Sequence, residues 1–167
     1  MKIYLAARYS RREQLCELRD QLKRMGHEVT SRWLQTEWVN RPDQSSAAPP
    51  EYRAKYAQID LEDVDAADVV VSFTDPPAGT CPKCEGLGDI VWPAEDGGSP
   101  RMRCPECQGK GYTRSGRGGR HVEFGYAMAK GKRLIVVGYR ENLFHEHPSV
   151  EFCLNQMDLV ITLGQAA

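Results

Sequence analysis

The sequence predicts an α/β domain built on a central parallel sheet, and three observations carry that expectation. Short apolar runs at Lys2–Ala7, Asp68–Phe73 and Arg133–Gly138 lack polar alternation, which suits strands covered on both faces. Segments with helical spacing of apolar residues lie between them, so strands and helices alternate along the chain. A stretch rich in cysteine and glycine, roughly 79–117, breaks that alternation once and reads as an insertion.

Composition bounds the rest. The chain has 167 residues, 41% hydrophobic and 27% charged, with a net charge of −1. That is one ordinary globular domain with a small insert, and no global field argues for nucleic acid or a membrane surface. No apolar run reaches transmembrane length. Met1-Lys2-Ile3-Tyr4-Leu5 enters a strand directly, so the expectation is a cytoplasmic protein without a signal peptide. In that compartment cysteines serve as metal ligands or core residues more often than as disulfides.

Lys2–Ala7 reads as the first buried strand. Ser10 is expected to open a helix, with Glu13 at capping-box spacing, Leu15, Leu18, Leu22 and Met25 on its apolar face, and Gly26 as its stop. Cys16 joins that face. Glu28–Trp33 is the next strand, completing a strand–helix–strand unit. The loop after the first strand carries Arg8, Ser10 and Arg11 beside a helix start, where a phosphate could sit. It lacks the glycines of a phosphate-cradling loop, and solvated surface arginines are an equal alternative.

The polar segment from Gln35 to Pro50 is expected to loop over the crevice. Trp33 and Trp38 could stack on a planar base there, although core packing explains either one better. A helix follows from about Glu51 to Ala66, its apolar face marked by Tyr52, Tyr56, Ile59 and Val64. Asp60 stands at the edge of that face, either half-buried with a raised pKa or, as is usual for such a residue, simply exposed. Asp68–Phe73 is the clearest strand and belongs at the sheet centre.

The insertion contains Cys81-Pro82-Lys83-Cys84 and Cys104-Pro105-Glu106-Cys107. Two CxxC pairs at this separation predict one four-thiolate zinc site, closed and therefore structural. The pairs continue as Cys-x-Gly-x-Gly, and this resembles the zinc-binding repeats of DnaJ-type chaperones. Only the metal is carried over from that likeness. The remaining alternative is disulfides or free thiols. Lys110, Arg114, Arg117 and Arg120 then form a basic run, read either as a phosphate-facing patch or as a solvated linker.

After the insertion, Gly118-Gly119-Arg120-His121-Val122-Glu123-Phe124-Gly125-Tyr126-Ala127 leads into a short helix that Gly131 ends. Glu123 is expected in its first turn, where unpaired N–H groups and the dipole favour a carboxylate. It is either a nucleophile facing the crevice or an acid that only complements the dipole. A strand to Gly138 follows, then a polar loop whose His145 and His147 are too loosely placed for a second metal site. Val150–Cys153 reads as an edge strand and Leu154–Leu163 as a terminal helix. The count is five parallel strands, a flavodoxin-like doubly wound sheet. Residues 1–78 and 118–167 make the α/β domain, and 79–117 the zinc module.

Two stretches carry a family resemblance. Ile59-Asp60-Leu61-Glu62-Asp63-Val64-Asp65-Ala66-Ala67-Asp68-Val69-Val70-Val71 and Gly119 through Ala127 resemble the nucleoside 2-deoxyribosyltransferase superfamily, which also contains the 2′-deoxynucleoside 5′-monophosphate N-glycosidases. The opening Ile3-Tyr4-Leu5-Ala6-Ala7 is similar too. The resemblance implies cleavage or transfer at the N-glycosidic bond of 2′-deoxynucleosides through a covalent glycosyl intermediate. It implies Glu123 as nucleophile, Asp60 as the partner acid and Tyr4 as the group that positions Glu123. Arg8, Ser10, Arg11, Asp75 and Gly119 would contact substrate, with no organic cofactor and with a homo-oligomer, dimer or higher, as the working form. Hydrolysis of monophosphates is the alternative within the family. A non-catalytic nucleotide sensor or nucleic-acid-binding module is the alternative outside it.

Overall fold

The computed structural model describes residues 1–35, 49–75, 79, 81, 83–91, 101–105, 107, 109, 111 and 118–165. By its internal contacts the chain divides into two compact units, Met1–Thr74 with Arg117–Ala167, and Asp75–Gly116.

The first unit is built on β1 (Lys2–Ala6), β2 (Glu28–Val29), β3 (Val69–Phe73), a strand at Arg133–Val137 and one at Val150–Cys153. With the hairpin strands of the second unit counted in chain order as β4 (Asp89–Val91) and β5 (Arg101–Arg103), these last two are β6 and β7. All pairings in the large sheet are parallel, and the order is β2-β1-β3-β6-β7. That is the flavodoxin-like order, with the sheet reversing direction of growth beside β1 and β3. Every residue of β3 is buried, as an apolar strand with a neighbour on each side requires.

Among the described residues four α-helices accompany the sheet: α1 (Arg12–Arg24), α2 (Pro50–Ala66), α3 (Gly119–Ala129) and α4 (Gln156–Gly164). Leu15, Leu18 and Leu22 of α1 are fully buried, each worth roughly 1.5–3 kcal/mol. Gly26 and Gly131 follow α1 and α3 in left-handed conformations, as helix stops do. Among the described residues no helix is long and apolar enough to cross a membrane.

Three local expectations fail. Ser10 does not open α1: Tyr9–Arg11 form a 3-10 turn, Arg11 is the N-cap, and no side chain caps the helix. β2 has two residues, not six, because the chain turns back at Ser31 to bond β1 through side chains. Leu5 N donates to Ser31 Oγ at 2.6 Å, and Trp33 Nε1 donates to Leu5 O at 2.9 Å. Trp33 is thereby a core residue in a 3-10 turn, Arg32–Leu34. On α2, Tyr52 is exposed, and the helix reaches the core only near its end, through Asp63 and Val64. Trp38 and most of the expected crevice loop lie outside the described residues.

Candidate functional site

Tyr4 organises the first cluster. β1 places it at the sheet centre, wholly buried, in register with Val70 of β3. Burial first, then the charges of Glu123, Asp60 and Asp63, push its phenol well above the ordinary pKa of 10.0. The hydroxyl meets no acceptor at full hydrogen-bond geometry. Glu123 nonetheless lies close enough to act on it by charge and as a looser hydrogen-bond partner. A phenol in this setting stays protonated and keeps a proton to donate.

The three acids come from two helices. Asp60 and Asp63 sit one turn apart on α2, and Glu123 is on α3, half-buried like Asp60. The helices are pinned together below them. Tyr126 Oη donates to Asp65 Oδ2 at 2.8 Å, and Lys130 pairs with the same carboxylate at 3.1 Å. Lys132 Nζ donates to the carbonyls of Asp65 and Ala67 at 2.7 and 2.8 Å.

Glu123 is not in the first turn. With Gly118 as N-cap and Gly119 as the first helical residue, it stands fifth, and the first turn holds no acid. The dipole acts within the first turn, so it is not what conditions this carboxylate. Glu123 shares the electrostatic neighbourhood of Tyr4 with the acids of α2.

The residues expected to meet substrate are not gathered alike. Arg8, two residues past β1, is half-buried; Ser10 is exposed in the 3-10 turn. Arg11 is engaged by the protein: Nη1 donates to Thr74 O at 3.1 Å, Nε donates to Gln14 at 3.1 Å, and the guanidinium lies over the Phe73 ring. It braces the end of β3. Gly119 is exposed at the start of α3, and a Cβ there would meet nothing within 4 Å. Asp75, half-buried, is the first residue of the second unit.

The sequence reading missed two polar constellations. Asp63 is buried and bound by Arg32, whose backbone N–H and Nε donate to its two oxygens at 2.8 and 2.5 Å. Burial, opposed by those bonds, leaves its pKa above the ordinary value. Spacing alone hinted at it, three residues after Asp60 on one helix face. The second constellation surrounds the loop after β6. Arg120 is buried in an ion pair with Glu141, so it does not belong to an exposed basic run. Lys110, Arg114 and Arg117 lie outside the described residues. His145 is buried, and Asn142 Nδ2 stands 3.4 Å from His121 Nδ1 and 3.3 Å from His145 Nε2.

The second unit holds the candidate metal centre. Cys81, Cys84, Cys104 and Cys107 are buried free thiols with all four Sγ atoms within 4.8 Å of one another. The Cys81–Cys104 and Cys84–Cys107 sulfurs are 3.8 and 3.6 Å apart. A disulfide would bring them to about 2.05 Å. A tetrahedral ion with metal–sulfur bonds of about 2.3 Å needs edges of about 3.8 Å, so the four cysteines fit a closed site that can hold a metal ion.

The two halves repeat one geometry. Gly88 N donates to Cys84 Sγ and Gly111 N to Cys107 Sγ, both at 3.3 Å. Cys81 N donates to Gly111 O at 3.0 Å and Cys104 N to Gly88 O at 2.8 Å. β4 and β5 pair antiparallel between them. Gly88 has φ +81°, and a Cβ there would stand 2.6 Å from Gly109 O; one at Gly111 would run into Gly86 O in the same way. Each knuckle therefore requires glycine twice over.

No protein-family model matches the chain, and no curated protein matches it in sequence. Among solved structures it is similar to the Clostridium botulinum CMP N-glycosidase BcmB, with 16% identity and a TM-score of 0.49 over 99% of each chain. The α/β assignment stands on the strand order itself.

Proposed function

We propose that this protein breaks the N-glycosidic bond of 2′-deoxynucleosides or their monophosphates and passes the deoxyribosyl group to an acceptor. The observation that carries the reading is convergence: Glu123 from α3 and Asp60 from α2 both act on the buried phenol of Tyr4 on β1. Those are the three residues that the motif resemblance assigns to catalysis.

The chemistry follows from their ordinary capacities. Glu123 Oε attacks C1′ as the C1′–N bond breaks, through an oxocarbenium-like transition state. The bond's electron pair leaves with the base, which takes a proton from Asp60. A second base, or water, then gives its proton to Asp60 and attacks C1′, and the ester to Glu123 breaks. Two displacements retain configuration. Tyr4, kept protonated by its surroundings, donates toward Glu123 and fixes the attacking oxygen. Transfer to a second base is the first reading. Hydrolysis of monophosphates is the second, favoured by Arg8, half-buried in the loop after β1.

We infer likewise that the ion of the second unit is zinc. Four thiolates leave no open coordination position, so it supplies folding energy and takes no part in the reaction.

The test is a panel of deoxynucleosides and their monophosphates, each with and without a free acceptor base, with Glu123→Ala alongside. A new nucleoside formed only with acceptor establishes the transferase. Free base from monophosphates alone establishes the hydrolase. Turnover equal in Glu123→Ala and wild type overturns the reading.

A further inference from the structure

The segment Thr30–Trp33 touches both elements that present the site's acid and phenol. Toward β1 it brackets Tyr4. Thr30 N donates to Ile3 O at 2.9 Å, Leu5 N donates to Ser31 Oγ at 2.6 Å, and Trp33 Nε1 donates to Leu5 O at 2.9 Å. Toward α2 it brackets Asp60. Arg32 Nη2 donates to Ile59 O at 3.1 Å on one side, and Arg32 N and Nε bind the Asp63 carboxylate on the other. Thr30 Oγ1 donates to Asp63 O at 2.9 Å, and Glu62 adds an outer contact to Arg32 at 3.0 Å.

We propose that Asp63, through Arg32, is a positioning residue that sets Asp60 against Tyr4 and Glu123. The inference rests on the catalytic reading of Asp60 and Glu123 given above. A helix held only by apolar packing can slide or rotate by a fraction of a turn. Two donors from one guanidinium and one backbone N–H, landing on either side of Asp60, remove that freedom at the residue where it matters. Asp63 bears on Tyr4 by its charge but does not touch the reacting atoms, and the Arg32 bonds on either side of Asp60 make its substitution act chiefly through the placement of Asp60. The geometry is long-range in sequence and joins α2 to the turn after β2.

Asp63→Asn keeps an acceptor for the Arg32 N–H and removes the ion pair. It is expected to lower kcat about tenfold or more with KM within about twofold. In an Asp60→Asn background the same substitution is expected to add nothing to the residual rate. Rates are normalised to folded protein, so loss of stability does not enter. An unchanged kcat, or an equal loss in both backgrounds, overturns the inference. If wild type turns over no substrate, the catalytic reading fails, and the inference is judged by nuclear magnetic resonance. Asp60 carboxyl and Tyr4 ring resonances should move in Asp63→Asn, and unmoved resonances overturn it.

Discussion

The two units hold their functional side chains in opposite ways. The cysteine centre is local and repetitive: each half supplies two ligands, one N–H to a sulfur and one glycine whose replacement would strain the turn. The Tyr4 cluster is non-local and singular: a strand, two helices and the turn after β2 each contribute one part. A local site can be complete only when its ion is present, since thiols alone offer little cohesion. A non-local site inherits its rigidity from the sheet and from the contacts that join its elements.

The largest effect should separate the two. Glu123→Ala is expected to reduce turnover on the order of 10⁴-fold or more, as loss of a nucleophile does, while leaving the melting temperature and metal content unchanged. Coupled loss of activity and metal, read by rate assay and elemental analysis, would show that the units are not independent.

Metal removal should do the converse. One equivalent of zinc is expected per chain, and chelation should open the segment Asp75–Gly116 to protease, since about 10–16 kcal/mol of binding energy is folding energy in such sites. Far-ultraviolet dichroism of the larger unit and turnover should persist. Turnover falling in step with zinc would break the contrast.

Gly88→Ala sharpens it from inside the smaller unit. A left-handed φ and a carbonyl 2.6 Å from the added Cβ should cost about 1–3 kcal/mol or more, read as weakened zinc affinity in a competition titration. Gly118→Ala, with nothing within 4 Å of the added carbon, should leave affinity and stability alike.

The smallest effect belongs to the edge of the sheet. Arg133 donates to both oxygens of Glu151 at 2.7 Å, which holds that carboxyl below its ordinary value of 4.5. A depressed folded pKa contributes stability above the unfolded value, lost as pH falls through the folded one. Both side chains are partly exposed, so Glu151→Gln should cost less than about 1 kcal/mol at neutral pH. Acid melting curves of mutant and wild type should converge below pH 4.5.

What could be read from the sequence follows the same division. Cysteine spacing names its own partners, so the four-sulfur cluster was legible outright. β3 was legible because a strand buried on both faces needs no polar positions. Asp63 was legible only as a neighbour of Asp60 on one helix face, because its burial depends on Arg32, which spacing along α2 cannot reveal. The six-residue β2 failed because Ser31 and Trp33 satisfy β1 with side-chain groups where a longer strand would use its backbone. Placing Glu123 in the first turn failed by a single residue's count from Gly119, and that count takes it out of the reach of the helix dipole.

The repeated knuckle means that the smaller unit carries its own control experiment. Gly88 and Gly111 occupy equivalent positions, as do Cys84 and Cys107, so matched substitutions in the two halves measure the same physics in different surroundings. Where the paired results agree, the ion alone governs the unit. Where they differ, the discrepancy maps which half something else leans on, without that partner having to be known in advance.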